Sequence, residues 1–129
     1  RQSQVSYNTF LQKTVSSVNN IIFPNVTIQV IQTKMRPTKF IEKKFNIGLC
    51  KCYFDGERVR LTPDFIHDMN NKKLTVCAPD MTMDEFSYTM NYHLPKLQTK
   101  YPDFQHDMTP ENAELFNEYL GQLLNGIPF

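Results

Sequence analysis

The order of apolar and polar positions divides the chain into stretches of different period. Residues 3–20 place Tyr7, Phe10, Leu11, Thr14, Val15 and Val18 at the i, i+3, i+4 spacing of a helix with one apolar side. Asn19-Asn20 and Pro24-Asn25 close that helix. Residues 26–32 then alternate, with Val26, Ile28 and Val30 on one side and Thr27, Gln29 and Ile31 on the other. This predicts a half-buried strand. Residues 34–37 read as a turn. Residues 38–49 read as extended, with Phe40, Ile41 and Phe45 among Lys39, Lys43 and Lys44 and a bulge near Gly48.

The clearest signal spans residues 46–61. Asp55-Gly56 separates two runs rich in β-formers, which predicts a hairpin with a two-residue type I′ loop. That loop would set Phe54 opposite Glu57, Tyr53 opposite Arg58, Cys52 opposite Val59, Lys51 opposite Arg60 and Cys50 opposite Leu61. Cross-strand partners share a face. One face then carries Cys50, Cys52, Phe54, Val59 and Leu61 and is expected to be core. The other carries Lys51, Tyr53, Arg58 and Arg60 and is basic.

After the hairpin, Thr62-Pro63-Asp64 has the chemistry of a helix start, and the helix is expected to run over residues 63–69. Residues 72–78 form another strand, with Leu74, Val76 and Ala78 inward. The last third is helical. Thr82 and Glu85 make a capping box, Pro95 kinks or ends that helix, and Thr109-Pro110-Glu111 opens a last one that stops at Gly126. The expected architecture is α+β in one domain, 1–129. It comprises an N-terminal helix, a four-stranded antiparallel sheet with a central Asp-Gly hairpin, and two C-terminal helices packed on one face. The chain starts at Arg1, without Met, so it is read as a piece of a longer protein.

Composition adds few constraints. With 40% hydrophobic and 21% charged residues the chain is ordinary for a soluble globular domain. No apolar run approaches the length of a membrane span, so no membrane partner is expected. The three cysteines, Cys50, Cys52 and Cys77, are an odd count that favours a reducing, intracellular compartment. A single sequon, Asn25-Val26-Thr27, is weak evidence on its own.

Charge is more informative. The net charge of +1 hides a split, because residues 1–73 hold 12 basic and 5 acidic residues while residues 74–129 hold 2 and 8. Such asymmetry points either to an acidic partner or to two halves that neutralise each other.

Several constellations could carry chemistry. The heptapeptide Pro63-Asp64-Phe65-Ile66-His67-Asp68-Met69 recurs as Pro102-Asp103-Phe104-Gln105-His106-Asp107-Met108 with six of seven positions identical. If each copy is a helical turn, Asp64 and His67, and again Asp103 and His106, share a face and are the metal-ligand candidates. The simpler expectation is helix-entry chemistry used twice, with no metal and no cofactor. Cys50 and Cys52 share a strand face with apolar residues, which favours packing over zinc. No phosphate loop and no hydrolase or zincin motif is present, so no catalytic residue is nominated.

The basic face remains. Lys51, Tyr53, Arg58 and Arg60, extended by Lys43, Lys44, Lys39 and Arg36, are the expected partner-binding residues. The function expected from them is a non-enzymatic interaction module. It would bind another, acidic protein through the basic strand face or a sheet edge. The alternative is a nucleic-acid-binding domain in which Tyr53 stacks a base.

Overall fold

The computed structural model describes residues 15–126. Residues 3–14 of the expected first helix lie outside the described residues. The rest of it is a strand, β1 (Val15–Ile22), paired antiparallel with β2 (Thr27–Thr33). The apolar spacing that suggested a helix has another cause. A bulge between Val15 and Ser17 sets Val15 beside Thr33 and Val18 beside Ile31, so residues three apart share a face. Pro24-Asn25 forms the turn, closed by the Phe23 N–H donating to the Val26 carbonyl at 2.8 Å.

Residues 38–49, expected to be extended, are mostly helix α1 (Pro37–Lys44), followed by a 3₁₀ turn (Gly48–Cys50). Pro37 at the first helical position was the overlooked signal. Phe40 anchors α1 by packing with Val15, Val18, Ile31, Met35 and Phe45. Lys43 and Lys44 fall in its last turn, where cations suit the helix dipole.

The hairpin exists as β3 (Cys52–Phe54) and β4 (Val59–Leu61), but its loop has four residues. Phe54 pairs with Val59, Tyr53 with Arg60 and Cys52 with Leu61. Only Gly56 takes a positive φ, 103°, so the loop is not type I′. The Asp55 carboxylate organises it, accepting from the N–H of Glu57 at 2.8 Å and of Arg58 at 2.9 Å. Arg60 Nε adds a third bond at 2.7 Å. Backbone donation from Arg58, then the Arg60 side chain, hold Asp55 down at a pKa of about 2.

The next elements are α2 (Pro63–Asn71), β5 (Lys73–Val76), α3 (Met83–Tyr88), a π-helical stretch (Thr89–His93) and α4 (Leu94–Lys100). They are followed by β6 (Gln105–Met108) and α5 (Pro110–Asn125). The two cap motifs hold: Thr62 Oγ1 accepts from the Phe65 N–H, and Thr82 and Glu85 satisfy each other's backbone. Pro95 neither ends nor breaks the long rod. The Leu94 N–H reaches back five residues to the Thr89 carbonyl, opening a π turn ahead of a proline that has no N–H to give.

The expected four-stranded antiparallel sheet is absent from the described residues. There are three sheets of two strands each, and the third pairs β5 with β6 in parallel. The residues of that sheet are few, yet they form the centre. Beyond β6, β5 is flanked on its other side by Ile47, bridged to Val76, and the Cys77 N–H donates to the Asn46 carbonyl at 3.0 Å. Leu74 and Val76 are fully buried and each seeds a cluster. Leu74 packs with Ile47, Leu49 and Leu94; Val76 packs with Ala78, Met81 and Phe86. Met90 joins both, so the α3–α4 rod covers β5 along its length.

Gly48 and Gly56 are glycines for different reasons. A Cβ at Gly48 would sit 2.8 Å from Asp68 Oδ2 and 3.0 Å from the Asp64 carbonyl, whereas a Cβ at Gly56 would meet nothing. Gly48→Ala is therefore expected to destabilise the protein by about 1–3 kcal/mol through overpacking. Gly56→Ala should lose roughly 1–2 kcal/mol through φ strain alone, with Gly56→Asn recovering part of it. Urea unfolding of the three variants checks this; a Gly48→Ala protein as stable as the parent contradicts the close packing of α2 on the 3₁₀ turn.

Candidate functional site

Of the residues expected on one basic face, Tyr53 and Arg60 are cross-strand partners, whereas Lys51 turns inward. Lys51 lies one residue before β3, at φ −89° and ψ 60° at the end of the 3₁₀ turn, so strand alternation does not govern its side chain. It is 1% exposed. Its ammonium donates to the Cys77 carbonyl at 2.7 Å, to the Glu42 carbonyl at 2.9 Å and to Asp64 Oδ2 at 3.0 Å. Three donors meet three acceptors, and the group is satisfied. Of the others, Arg60 is exposed but tied to Asp55, Tyr53 is half-buried and Arg58 is exposed. The face expected to be core is largely open: Phe54 and Val59 are 64% exposed and Leu61 is 49% exposed.

The repeated heptapeptide takes two conformations. The first copy is helical because Thr62 caps it. The second has Tyr101 at the matching position, turns at Pro102, and enters β6 against β5. Asp68 is fully buried and accepts from the Thr75 N–H at 2.9 Å, while its counterpart Asp107 is exposed. Asp64 serves Lys51, Asp103 pairs with Lys72 at 3.3 Å on the surface, and His67 and His106 are exposed. Among the described residues no group of three His, Cys, Asp or Glu side chains is placed to hold a metal ion. The thiols of Cys50 and Cys77 are poor nucleophiles. Burial above all pushes Cys77 up to about 12 and Cys50 up to about 11.

Two other features stand out. The first is the β1–β2 ribbon. In the observed register Ile21 and Ile28 are partners, and Phe23, Val26 and Val30 fall on the same face. All five are between 44 and 56% exposed. Residues 15–33 contain no charged side chain. Among the described residues each strand of this ribbon has one partner only, so each has an outer edge. The alternation of residues 26–32 pointed to this face but assigned it to a core.

The second feature is a cleft of about 580 Å³ beside the ribbon, bounded by Gln29, the end of α1, the segment after β5, and the π stretch. Aromatic pairs stand on two of its walls. Phe40 and Phe45 meet edge to face at 5.9 Å, and Tyr88 and Tyr92 lie 5.6 Å apart. Lys43, Lys44 and Lys96 also line it. A short hydrogen-bond chain orders one wall. The Thr89 hydroxyl donates to the Glu85 carbonyl at 2.8 Å, so its oxygen accepts from Asn46 Nδ2 at 2.7 Å. Asn46 thus turns its oxygen to His93, 2.7 Å from Nδ1, which must carry the proton. Burial, and then Lys96, hold His93 below its ordinary value of 6.5. Asn46 was not readable as part of a site, because its partners Thr89 and His93 lie more than forty residues away in sequence.

No family model matches the chain, nor does any curated protein or solved structure. Among the described residues no helix is long and apolar enough to cross a membrane.

Lys51→Met should cost about 2–5 kcal/mol, since it leaves the buried Cys77 carbonyl and the partly buried Glu42 carbonyl without this donor. Asp64→Asn should cost less than about 1 kcal/mol, because Asp64 is half exposed and water replaces its partner. Chemical denaturation separates the two; equal losses would assign the stability to the ion pair instead of the carbonyls.

His93 gives a pH prediction. Its folded-state pKa is lowered, so the unfolded chain binds more protons near its ordinary value of 6.5. Its contribution to stability is present above that value and falls as pH drops toward the folded pKa. The melting temperature should therefore decrease from about pH 7.5 to about pH 5.5, and less so in His93→Gln. An unchanged acid sensitivity in His93→Gln would assign the titration to another group.

Proposed function

We propose that this chain is a non-enzymatic interaction module that captures an extended segment of an acidic partner protein by strand addition to the β1–β2 ribbon. The observation that carries this reading is the ribbon's composition: no charge over residues 15–33 and one exposed face of Ile21, Phe23, Val26, Ile28 and Val30. Strand edges in solitary proteins are usually blunted by Lys, Pro or inward charges. Here the ribbon's proline, Pro24, sits in the turn, and the edge protection on the strands is the bulge after Val15. A contiguous apolar face on ordered backbone is the mark of an interaction site. Strand addition would satisfy the edge amides and carbonyls and cover the apolar side chains together.

Charge complementarity supports the partner's acidity. Phe40 docks α1 against the ribbon's root, and α1 carries Lys39, Lys43 and Lys44 with Glu42 as its acid. A segment with acidic flanks would meet these lysines as its centre pairs with the ribbon. The nucleic-acid alternative is weaker because Lys51, the centre of its basic face, belongs to the interior.

Selection of a random displayed-peptide library on the purified protein tests the reading. Enriched peptides should be rich in β-branched residues with Asp or Glu flanks. Ile28→Lys should weaken them by roughly tenfold or more, whereas Glu118→Lys on α5 should leave binding unchanged. Peptides that bind Ile28→Lys as well as the parent, or no enrichment at all, overturn it.

A further inference from the structure

We propose that the cleft beside the ribbon is a binding site for a small ring-bearing anion of mononucleotide size. The cleft's volume, about 580 Å³, lies within the span typical of small-molecule sites. Its lysines come from two separate elements, Lys43 and Lys44 from α1 and Lys96 from α4. Among the described residues none of these three is in an ion pair. Of the two acids at the cleft, Glu85 is committed to the Thr82 N–H at 2.8 Å; Asp80 is the other. Three lysines against two carboxylates leave the lining a net charge of +1, which an anion would neutralise.

The rest of the lining fits a flat body attached to that anion. Tyr92, 45% exposed, stands on one wall, and aromatic faces receive rings by stacking. His93 supplies a polar contact of defined sense. Its Nδ1 is the donor to Asn46, so Nε2 holds a lone pair. Nε2 has no protein partner, and no buried side-chain nitrogen or oxygen is unsatisfied among the described residues, so this atom is open to solvent. It can accept an N–H or O–H from the ligand. Cations, a ring wall and one oriented acceptor are together the chemistry that recognises a phosphate joined to an amino- or hydroxyl-bearing ring.

Titration of the whole protein with adenosine monophosphate, followed by amide and imidazole NMR shifts, tests the site. Adenosine tests the ring without the charge, and inorganic phosphate the charge without the ring. Saturable shifts at Thr89, Tyr92 and His93 are expected with the nucleotide, and each control should bind roughly tenfold more weakly or worse. Lys96→Gln should weaken nucleotide binding by roughly tenfold while leaving the spectrum of the free protein otherwise intact. Glu118→Lys, outside the cleft's lining, should bind as the parent does. Unmoved His93 and Thr89 resonances at about 10 mM nucleotide, phosphate alone binding as tightly, or an indifferent Lys96→Gln each overturn the proposal.

Discussion

An ammonium ion in the interior sets the conditions under which the rest of this chain packs. Lys51 binds the end of α1 through the Glu42 carbonyl, the start of α2 through Asp64, and the exit of β5 through the Cys77 carbonyl. Removing such a charge from water costs several kcal/mol before any bond is made. The cost is offset only when every donor is used with good geometry, and here each N–H has its own acceptor. Those acceptors belong to three segments distant in sequence, so the arrangement forms only in the completed fold. Thr62 adds to it, with its hydroxyl donating to the Lys51 carbonyl at 2.7 Å while its oxygen caps α2. Side chain and backbone of one residue thus fix where α2 begins.

What could be read from the sequence follows from the range of the interactions involved. Thr62 with Pro63 and Thr82 with Glu85 announced their helices because a cap closes within four residues, and Pro110 announced the last one by its place in the first turn. The strand around Ile28 and Val30 was also legible, since alternation is local. The four-stranded sheet was not, because pairing is decided by partners elsewhere. The heptapeptide makes this plain: nearly identical residues are helix after Thr62 and strand beside β5. Nothing within the second copy encodes the parallel neighbour that β5 provides. Lys51 was misplaced for a related reason. Its face was assigned by counting along a strand that begins only at Cys52.

The same distinction separates the two candidate sites. The ribbon face is a property of residues 21–30 alone; its second half, Val26, Ile28 and Val30, was visible as an alternation although its exposure was not, while Ile21 and Phe23 were not placed on it. Alternation says which side chains share a face and leaves open what, if anything, covers them. Phe54, Val59 and Leu61 repeat the case on the second hairpin, where an apolar face predicted to be core is open as well. Among the described residues, two short ribbons thus turn apolar faces to water.

The cleft has a different origin. Pro95 cannot donate to the carbonyl four residues earlier, and its ring crowds that carbonyl. The helix relieves this by widening into the π turn at Thr89–His93. One additional residue in a turn advances the following side chains by about 100° around the axis. The Thr89 hydroxyl, bonded back to the Glu85 carbonyl, occupies an acceptor of the preceding turn and favours the same departure from regular helix. Tyr92 and His93 lie within this widened turn, and both stand at the cleft together with Lys96 beyond it. Asn46 then locks His93 in one tautomer, and its own carbonyl receives the Cys77 N–H beside the strand exit that Lys51 holds. The interior ammonium and the cleft wall are thereby joined through Cys77, so the geometry of the proposed ligand site depends on the same buried cation that orders the fold.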